Sequence, residues 1–360
     1  MSGIHQFVPM LHRRDAVGEH TRVLRDLLVA AGVPSRIYTE IPDPETADET
    51  RHYLEYETDA EPGDVLVYQV ATRSEMAGWL GARREKVVLN YHSITPPEYF
   101  APWNNGIARL QVGALAELAD LAPKSVMGIG VSDFDADELR RAGCTDVRVI
   151  AVDNLGLPPT PPDPAVLESL ARHGAGRGPW WLSVGRLAPN KCHQDVIAAL
   201  FVARDSGSPD AHLTIVGSPS EPTYAAALKR YAGMLGVADA VEFVSGISEG
   251  DLSARYTSAD VLVMLSEHEG FGVPLLEAMS HGLPVVAYDA GAVAEVLGDA
   301  GVLLDHKGPR RVASEVVGLM ADQTRIGDLA AAGRARLVAL GLDQAGQDLV
   351  RALMDVAGRP

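Results

Sequence analysis

Glu269 and Glu277 are two carboxylates separated by seven residues in the run Ser266-Glu267-His268-Glu269-Gly270-Phe271-Gly272-Val273-Pro274-Leu275-Leu276-Glu277. An apolar stretch, Val261-Leu262-Val263-Met264-Leu265, leads into it. The glycines between the acids permit a tight turn and close backbone approach to a ligand. Pro274 suits the first turn of a helix, where its missing N–H is not needed. The spacing therefore predicts strand, glycine turn and helix N-terminus, with Glu269 in the turn and Glu277 about two helical turns on, on the same side. Free N–H groups at a helix N-terminus bind phosphate, and carboxylates beside them accept hydrogen bonds from sugar or ribose hydroxyls. Together these groups describe a nucleotide-sugar site.

Upstream lies Val184-Gly185-Arg186-Leu187-Ala188-Pro189-Asn190-Lys191, with two cations just after another apolar run. A departing nucleoside diphosphate is a polyanion, and two fixed cations would stabilise the charge that develops on it. In order and spacing, the two segments resemble the V-G-R-L-x-x-x-K and E-x7-E motifs of retaining glycosyltransferases with the GT-B fold, of the family 4 (group 1) type. The resemblance spans roughly residues 180–305 and is fainter over the first 150.

The resemblance implies roles for particular residues. Arg186 and Lys191 contact the diphosphate, Glu269 holds sugar hydroxyls and Glu277 binds the ribose. Backbone N–H groups of Gly272, Val273 and Leu275 meet phosphate or sugar oxygens. Gly270 and Phe271 complete the donor turn, Phe271 being equally readable as core. Ile247, after Ser245-Gly246, touches the nucleotide base, and Gly217-Ser218 lines the donor pocket or forms a plain strand-to-helix turn. Cys192 stands where the family most often has glycine, a small residue that keeps the turn; a zinc role with His193 lacks a second ligand pair.

In the first half, Gly18 falls in the loop Pro9–Gly18 expected to reach the donor phosphate, although Val17 replaces the first glycine of the family's usual pair. His92 ends a strand and enters a loop, and by resemblance lies beside the sugar and stabilises positive character there. Its segment, Tyr91-His92-Ser93-Ile94-Thr95-Pro96, is similar to a loop of mannosyl- and rhamnosyltransferase-like members. Ser132-Asp133-Phe134-Asp135-Ala136-Asp137 contains a D-x-D pattern, but it reads as a helix cap followed by acids that suit the helix dipole. The family generally needs no bound catalytic metal, so neither a metal nor another cofactor is expected.

The elements that must hold these residues are legible as short apolar runs alternating with amphipathic segments. Candidate strands are Ile4–Val8, Ser35–Tyr38, Val65–Tyr68, Lys86–Asn90, Val126–Val131 and Val147–Ala151. In the second half they are Trp180–Val184, Ala211–Val216, Val241–Val244, Val261–Leu265, Pro284–Tyr288 and Val302–Leu304. Such alternation predicts α/β domains with parallel sheets. A chain of 360 residues, 47% hydrophobic, suits two cores. The proline-rich stretch from Leu155 to Pro164 reads as a stiff linker. The expected layout is a first Rossmann-like domain over 1–157, a linker over 158–178 and a donor-binding Rossmann-like domain over 179–335. Residues 336–360 are expected to form a helix crossing back to the first domain. In this GT-B architecture the two domains face each other across a cleft, with ligands at the carboxyl ends of the strands.

A formal charge of −17 argues against a nucleic-acid partner, because a polyanion would be repelled. Peripheral membrane contact stays open through Arg13-Arg14 or Arg83-Arg84 with Lys86, although solvated faces are the simpler reading. No run approaches bilayer length, no signal peptide is evident, and the two cysteines, Cys144 and Cys192, suit a reducing cytoplasm.

The expected function is transfer of a hexose or deoxyhexose from a nucleoside diphosphate sugar to an acceptor hydroxyl, on a polysaccharide, glycolipid or secondary metabolite. By resemblance the acceptor attacks on the face the diphosphate leaves, and a departing phosphate oxygen takes the proton. A GT-B-fold sugar-nucleotide epimerase and a non-catalytic nucleotide-sugar-binding regulator are the alternatives. A dinucleotide oxidoreductase fits worse, because no G-x-G-x-x-G follows the first strand. The acceptor depends on loops near 9–18, 69–76 and 92–106.

Overall fold

A computed structural model of the protein describes residues 2–12, 16–151, 160–174 and 178–359. Among them the first sheet contains β1 (Ile4–Met10), β2 (Ile37–Ile41), β3 (Thr50–His52), β4 (Val65–Val70), β5 (Lys86–Tyr91), β6 (Met127–Gly130) and β7 (Val147–Val149). The second contains β8 (Trp180–Val184), β9 (His212–Val216), β10 (Val241–Val244), β11 (Val261–Met264), β12 (Val285–Tyr288) and β13 (Val302–Leu304). Every pairing in both sheets is parallel. The orders are β3-β2-β1-β4-β5-β6-β7 and β10-β9-β8-β11-β12-β13. Both reverse direction beside their first strand, as doubly wound Rossmann-like sheets do, and ligands of such sheets bind outside the carboxyl ends at that reversal.

Alternation along the strands sorts the first core into two layers. Ile4, Val65, Val67, Val88 and Ile129 pack with Leu24 and Leu28 of the helix Ala16–Ala30. Phe7, Leu66, Tyr68 and Leu89 pack on the other side with Tyr38, Tyr56, Leu118 and Leu139. The final helix, Leu342–Ala357, adds Leu349, Val350, Ala352 and Leu353 to the first of these layers. The chain accordingly divides into two compact units, residues 1–155 with 341–360, and residues 156–340.

Three details differ from the sequence expectation. β3 was not foreseen: it is three residues long and largely exposed, so it carries no apolar alternation. Within the expected linker, Pro164–Gly174 is a helix packed against the helix Glu249–Ser258. Pro164 opens it, and the Asp163 carboxylate accepts from Ala165 N at 2.8 Å, so proline here marks a helix start. Residues 155–159 of the proline-rich stretch and residues 175–177 lie outside the described residues. The last break comes at Gly341 (φ 62°), after the helix Gln323–Ala339. The helix Asp133–Ala142 is capped as expected, with Ser132 Oγ accepting from Asp135 N.

If the last helix belongs to the first core, Leu353→Ala, at a fully buried position, lowers unfolding stability by about 3 kcal/mol. Urea unfolding measures this; a change within about 0.5 kcal/mol, typical of a surface site, would show that the helix does not contribute to the core.

Candidate functional site

The loops after β8 and β11 flank the reversal of the second sheet, and the two carry most of the predicted donor residues. The β8 loop turns at Gly185 (φ 148°), whose N–H donates to Val216 O at 2.9 Å. Gly217 follows β9 directly beneath it. A Cβ there would lie 1.9 Å from Gly185 O, so only glycine lets the two loops cross. Ser218 O accepts from Leu187 N at 2.9 Å, which ties the Gly217-Ser218 turn to the Arg186 loop.

Arg186 is exposed, and its guanidinium has no hydrogen bond or ion pair among the described residues. Lys191 ends a short 3-10 turn, and its Nζ lies 2.6 Å from Glu269 Oε1. Glu269 itself is buried. Asn190 reinforces this junction twice: its Nδ2 donates to His268 O at 3.2 Å, and its carbonyl accepts from Glu267 N at 2.8 Å. From the other side Ala292 N donates to Glu269 O at 2.9 Å, where a Cβ on Gly291 would fall 2.2 Å from that oxygen.

Cys192 keeps the turn as expected, but in a left-handed conformation (φ 52°) uncommon for a residue with a side chain. His193 behind it is buried, its ring between Ser183 Oγ (3.2 Å) and Arg186 O (3.3 Å), and burial pushes its pKa down to about 4. The neutral ring thus buttresses the Arg186 backbone.

The helix Val273–Ser280 starts at Gly272 (φ 93°), with Pro274 in its first turn. One expected contact is corrected. Leu275 N donates to Gly272 O at 2.9 Å and the Leu275 side chain is fully buried, so that N–H is not offered to a ligand. Closing the first turn consumes it, leaving Gly272 and Val273 as the donors at this end. Gly270 is half-buried, Phe271 is buried and Ile247, just after Gly246 (φ 70°), is half-buried.

Glu277 lies in the second turn, where its Oε2 accepts from Tyr256 Oη–H at 2.6 Å. Burial raises its pKa to about 7 against the opposing effect of that hydrogen bond, and Glu249 adds to the rise. Burial, followed by the nearby Glu277 charge, likewise holds the Tyr256 hydroxyl well above its ordinary pKa, so it stays a donor.

Sequence reasoning missed Lys307, in the loop after β13. Its Nζ is 2.6 Å from both Asp195 Oδ2 and Glu267 Oε1, and it also meets the Cys192 thiol. Cys192, Asp195 and Glu267 form a cluster of metal-ligand type, but the Lys307 ammonium lies among them. Burial opposes that charge, and the hydrogen bonds that the ammonium donates to the acids outweigh it and raise the lysine pKa. Only five lysines occur in the chain, so Lys307 was a signal available in the sequence.

Within the first unit, Gly18 belongs to the first turn of the helix Ala16–Ala30, not to the preceding loop. The helix starts early enough that a Cβ on Gly18 would lie 2.3 Å from His12 O, so the glycine serves a close backbone crossing. Arg13 and Arg14 fall outside the described residues. His92 follows β5, with its backbone N–H on Val70 O at 2.9 Å and its Nε2 2.7 Å from Gln69 Oε1.

The family described as "Glycosyl transferases group 1" matches residues 171–336, the segment holding both loops. Over this segment the chain is similar to the group 1 glycosyl transferases. It is 32% identical over 183 residues to a GDP-mannose-dependent alpha-(1-6)-phosphatidylinositol monomannoside mannosyltransferase of Mycobacterium tuberculosis, covering 48% of this chain and 46% of that protein. It is 30% identical over 282 residues to a D-inositol 3-phosphate glycosyltransferase of Streptomyces bingchenggensis, covering 71% and 59%. The chain spans about half the length of the curated relatives it matches. The GT-B architecture is shared with HepE of Anabaena in complex with UDP and glucose, at a TM-score of 0.75 and 19% identity over 98% of this chain and 100% of that one.

The raised Glu277 pKa has a sign that can be checked. A folded pKa near 7, above the ordinary 4.5 of a glutamate, gives stability that is full below about 4.5 and is lost as the pH rises through 7. Glu277→Gln, which keeps an acceptor for Tyr256 without the charge, should exceed the unaltered protein in stability by about 2 kcal/mol at pH 8.5, after allowance for partial exposure. The gap should close at pH 5. Equal melting temperatures at both pH values would mean that Glu277 titrates normally.

Proposed function

We propose that this protein is a retaining, metal-independent glycosyltransferase that moves a hexose or deoxyhexose from a nucleoside diphosphate sugar to an acceptor hydroxyl. The observation that carries this reading is the Lys191–Glu269 pair at the reversal of the second sheet, beside the N-terminus of Val273–Ser280. Arg186, Lys191 and the N–H groups of Gly272 and Val273 supply positive potential for a diphosphate, which is most negative as it departs. Glu269 accepts hydrogen bonds from sugar hydroxyls and Glu277 from the ribose.

His92, neutral beside the sugar, adds no positive charge where the anomeric carbon becomes cationic. Retention follows from attack on the face the diphosphate leaves, with the proton passing to a departing phosphate oxygen, so no separate protein base is required. The protein's own cations meet the leaving group's charge, which is the basis for expecting activity without a divalent ion. The mannosyltransferase and inositol-phosphate glycosyltransferase relatives support the sugar-transfer class. Among the described residues no helix is long and apolar enough to cross a membrane.

Titration calorimetry with UDP, GDP, ADP and NAD in EDTA tests the reading. One nucleoside diphosphate should bind in the micromolar range, and Lys191→Ala and Glu277→Ala should each weaken it by about tenfold, the loss of one charge-assisted hydrogen bond. Affinity should also fall as the pH drops below 7, because protonated Glu277 can no longer accept from both ribose hydroxyls. Binding of NAD alone, or of nothing, would overturn the assignment.

A further inference from the structure

The face of the first sheet that packs on the helix Ala16–Ala30 is apolar until its carboxyl end, where it turns polar. Ile4 is followed two residues on by Gln6, Val67 by Gln69, and Val88 by Asn90. Gln69 and Asn90 are direct neighbours in the β4–β5 register. Gln6, Gln69, Asn90 and His20 are all at least nine-tenths buried. Burying four polar side chains is unfavourable unless they satisfy one another; they form a single chain that leaves Gln6 Nε2 and Asn90 Oδ1 buried without a partner among the described residues. Gln69 Nε2 donates to Gln6 Oε1 at 2.8 Å, and Asn90 Nδ2 donates to Gln69 Oε1 at 2.9 Å. Asn90 Nδ2 also lies 2.8 Å from His20 Nε2, and Gln69 Oε1 lies 2.7 Å from His92 Nε2. The two histidine rings meet edge to face at 5.4 Å.

With the amides oriented as they stand, proton counting along this chain gives both tautomers. Asn90 Nδ2 gives one proton to Gln69 and the other to His20, so His20 Nε2 must be the lone pair and its proton lies on Nδ1. That Nδ1 is buried without a partner among the described residues. Gln69 Oε1 only accepts, so His92 Nε2 must carry a proton. The titratable neighbour of His92 is His20 itself. Burial pushes His92 down to about 3, with His20 adding to the fall, and burial holds His20 at about 4, so both rings are neutral near pH 7.

We propose that Gln69 and Asn90 are positioning residues for sugar transfer, holding His92 as the neutral Nε2–H tautomer so that its Nδ1 is a lone-pair acceptor. This rests on the reading of His92 as a residue beside the donor sugar. A lone pair there accepts from a sugar hydroxyl and faces a developing cation favourably, whereas an imidazolium would oppose it. Turning one amide alone would bring two oxygens or two NH2 groups together. The tautomers of His92 and His20 are therefore opposite and change only as a pair.

Long-range proton–nitrogen NMR of the 15N-histidine-labelled full chain tests this without altering it, with His92→Gln and His20→Phe used only to assign the signals. The expected result is Nε2–H on His92 and Nδ1–H on His20, unchanged from pH 5 to 8. Imidazolium signals in that range, the same tautomer on both rings, or the reversed pair would each overturn the proposal.

Kinetics then test the role. Gln69→Glu places an anion against Nε2, raising the His92 pKa by about one to three units. It should introduce an acid limb in kcat between about pH 4 and 6, absent from the unaltered protein, with the donor KM within about threefold. Gln69→Leu, which breaks the chain without adding charge, should lower kcat without that limb. An unchanged kcat in both variants would overturn the positioning role even with the tautomers as expected. Failure of the unaltered protein to transfer sugar from any nucleotide sugar would instead overturn the functional reading, while the NMR result would still decide the tautomers.

Discussion

The second unit of this protein is organised around one ion pair, Lys191 Nζ to Glu269 Oε1 at 2.6 Å. It joins the loops that leave β8 and β11, the two strands between which the second sheet reverses. A carboxylate as buried as Glu269 is expensive to ionise alone, and an ammonium at contact distance makes the charge tolerable. Neither loop can drift without exposing that imbalance. The surrounding contacts act on the same junction: Asn190 holds the backbone at His268 and Glu267, Ala292 holds the Glu269 carbonyl, and Lys307 ties Glu267 to the helix His193–Asp205 through Asp195. Gly217 and Gly291 are required because backbone oxygens pass where side chains would otherwise lie.

A chain with a formal charge of −17 that is to hold a diphosphate must oppose its own field locally. Its cations divide into two kinds. Lys307 is fully engaged by two carboxylates, so its charge is spent inside the protein and fixes loop geometry. Arg186 is exposed without a partner among the described residues, and Lys191 has one partner and donor capacity to spare. Counting positive charges near the site would therefore mislead; which carboxylate already faces each ammonium decides what remains for a ligand.

The parts of the fold that were legible in the sequence are those encoded locally. Apolar β-branched runs marked the strands that form both sheets, and Gly-Phe-Gly-Val-Pro marked a turn and helix start that the structure contains at Gly272 and Val273. Other features depend on partners distant in sequence. β3 has no apolar pattern and exists through its pairing with β2. Pro164 was read as linker although Asp163-Pro164 is a local helix-start signal; the helix it packs against, Glu249–Ser258, is recognisable only in three dimensions. The Leu275 N–H was expected to be free, but turn closure by Gly272 O depends on backbone angles that residue types do not specify. The Gln6–Gln69–Asn90–His20 chain went unread because its hydrogen bonds join residues distant in sequence.

His92 and Glu277 share one physical device in two units. Both are ionisable groups whose charged forms are disfavoured by burial, His92 held neutral near pH 7 and Glu277 poised close to it. Burial alone would leave each free to adopt whichever neutral geometry suits its surroundings. A hydrogen bond removes that freedom: the Gln69 carbonyl selects a tautomer for His92, and the Tyr256 hydroxyl orients Glu277 Oε2. Desolvation thus sets the charge and a directional partner sets the geometry.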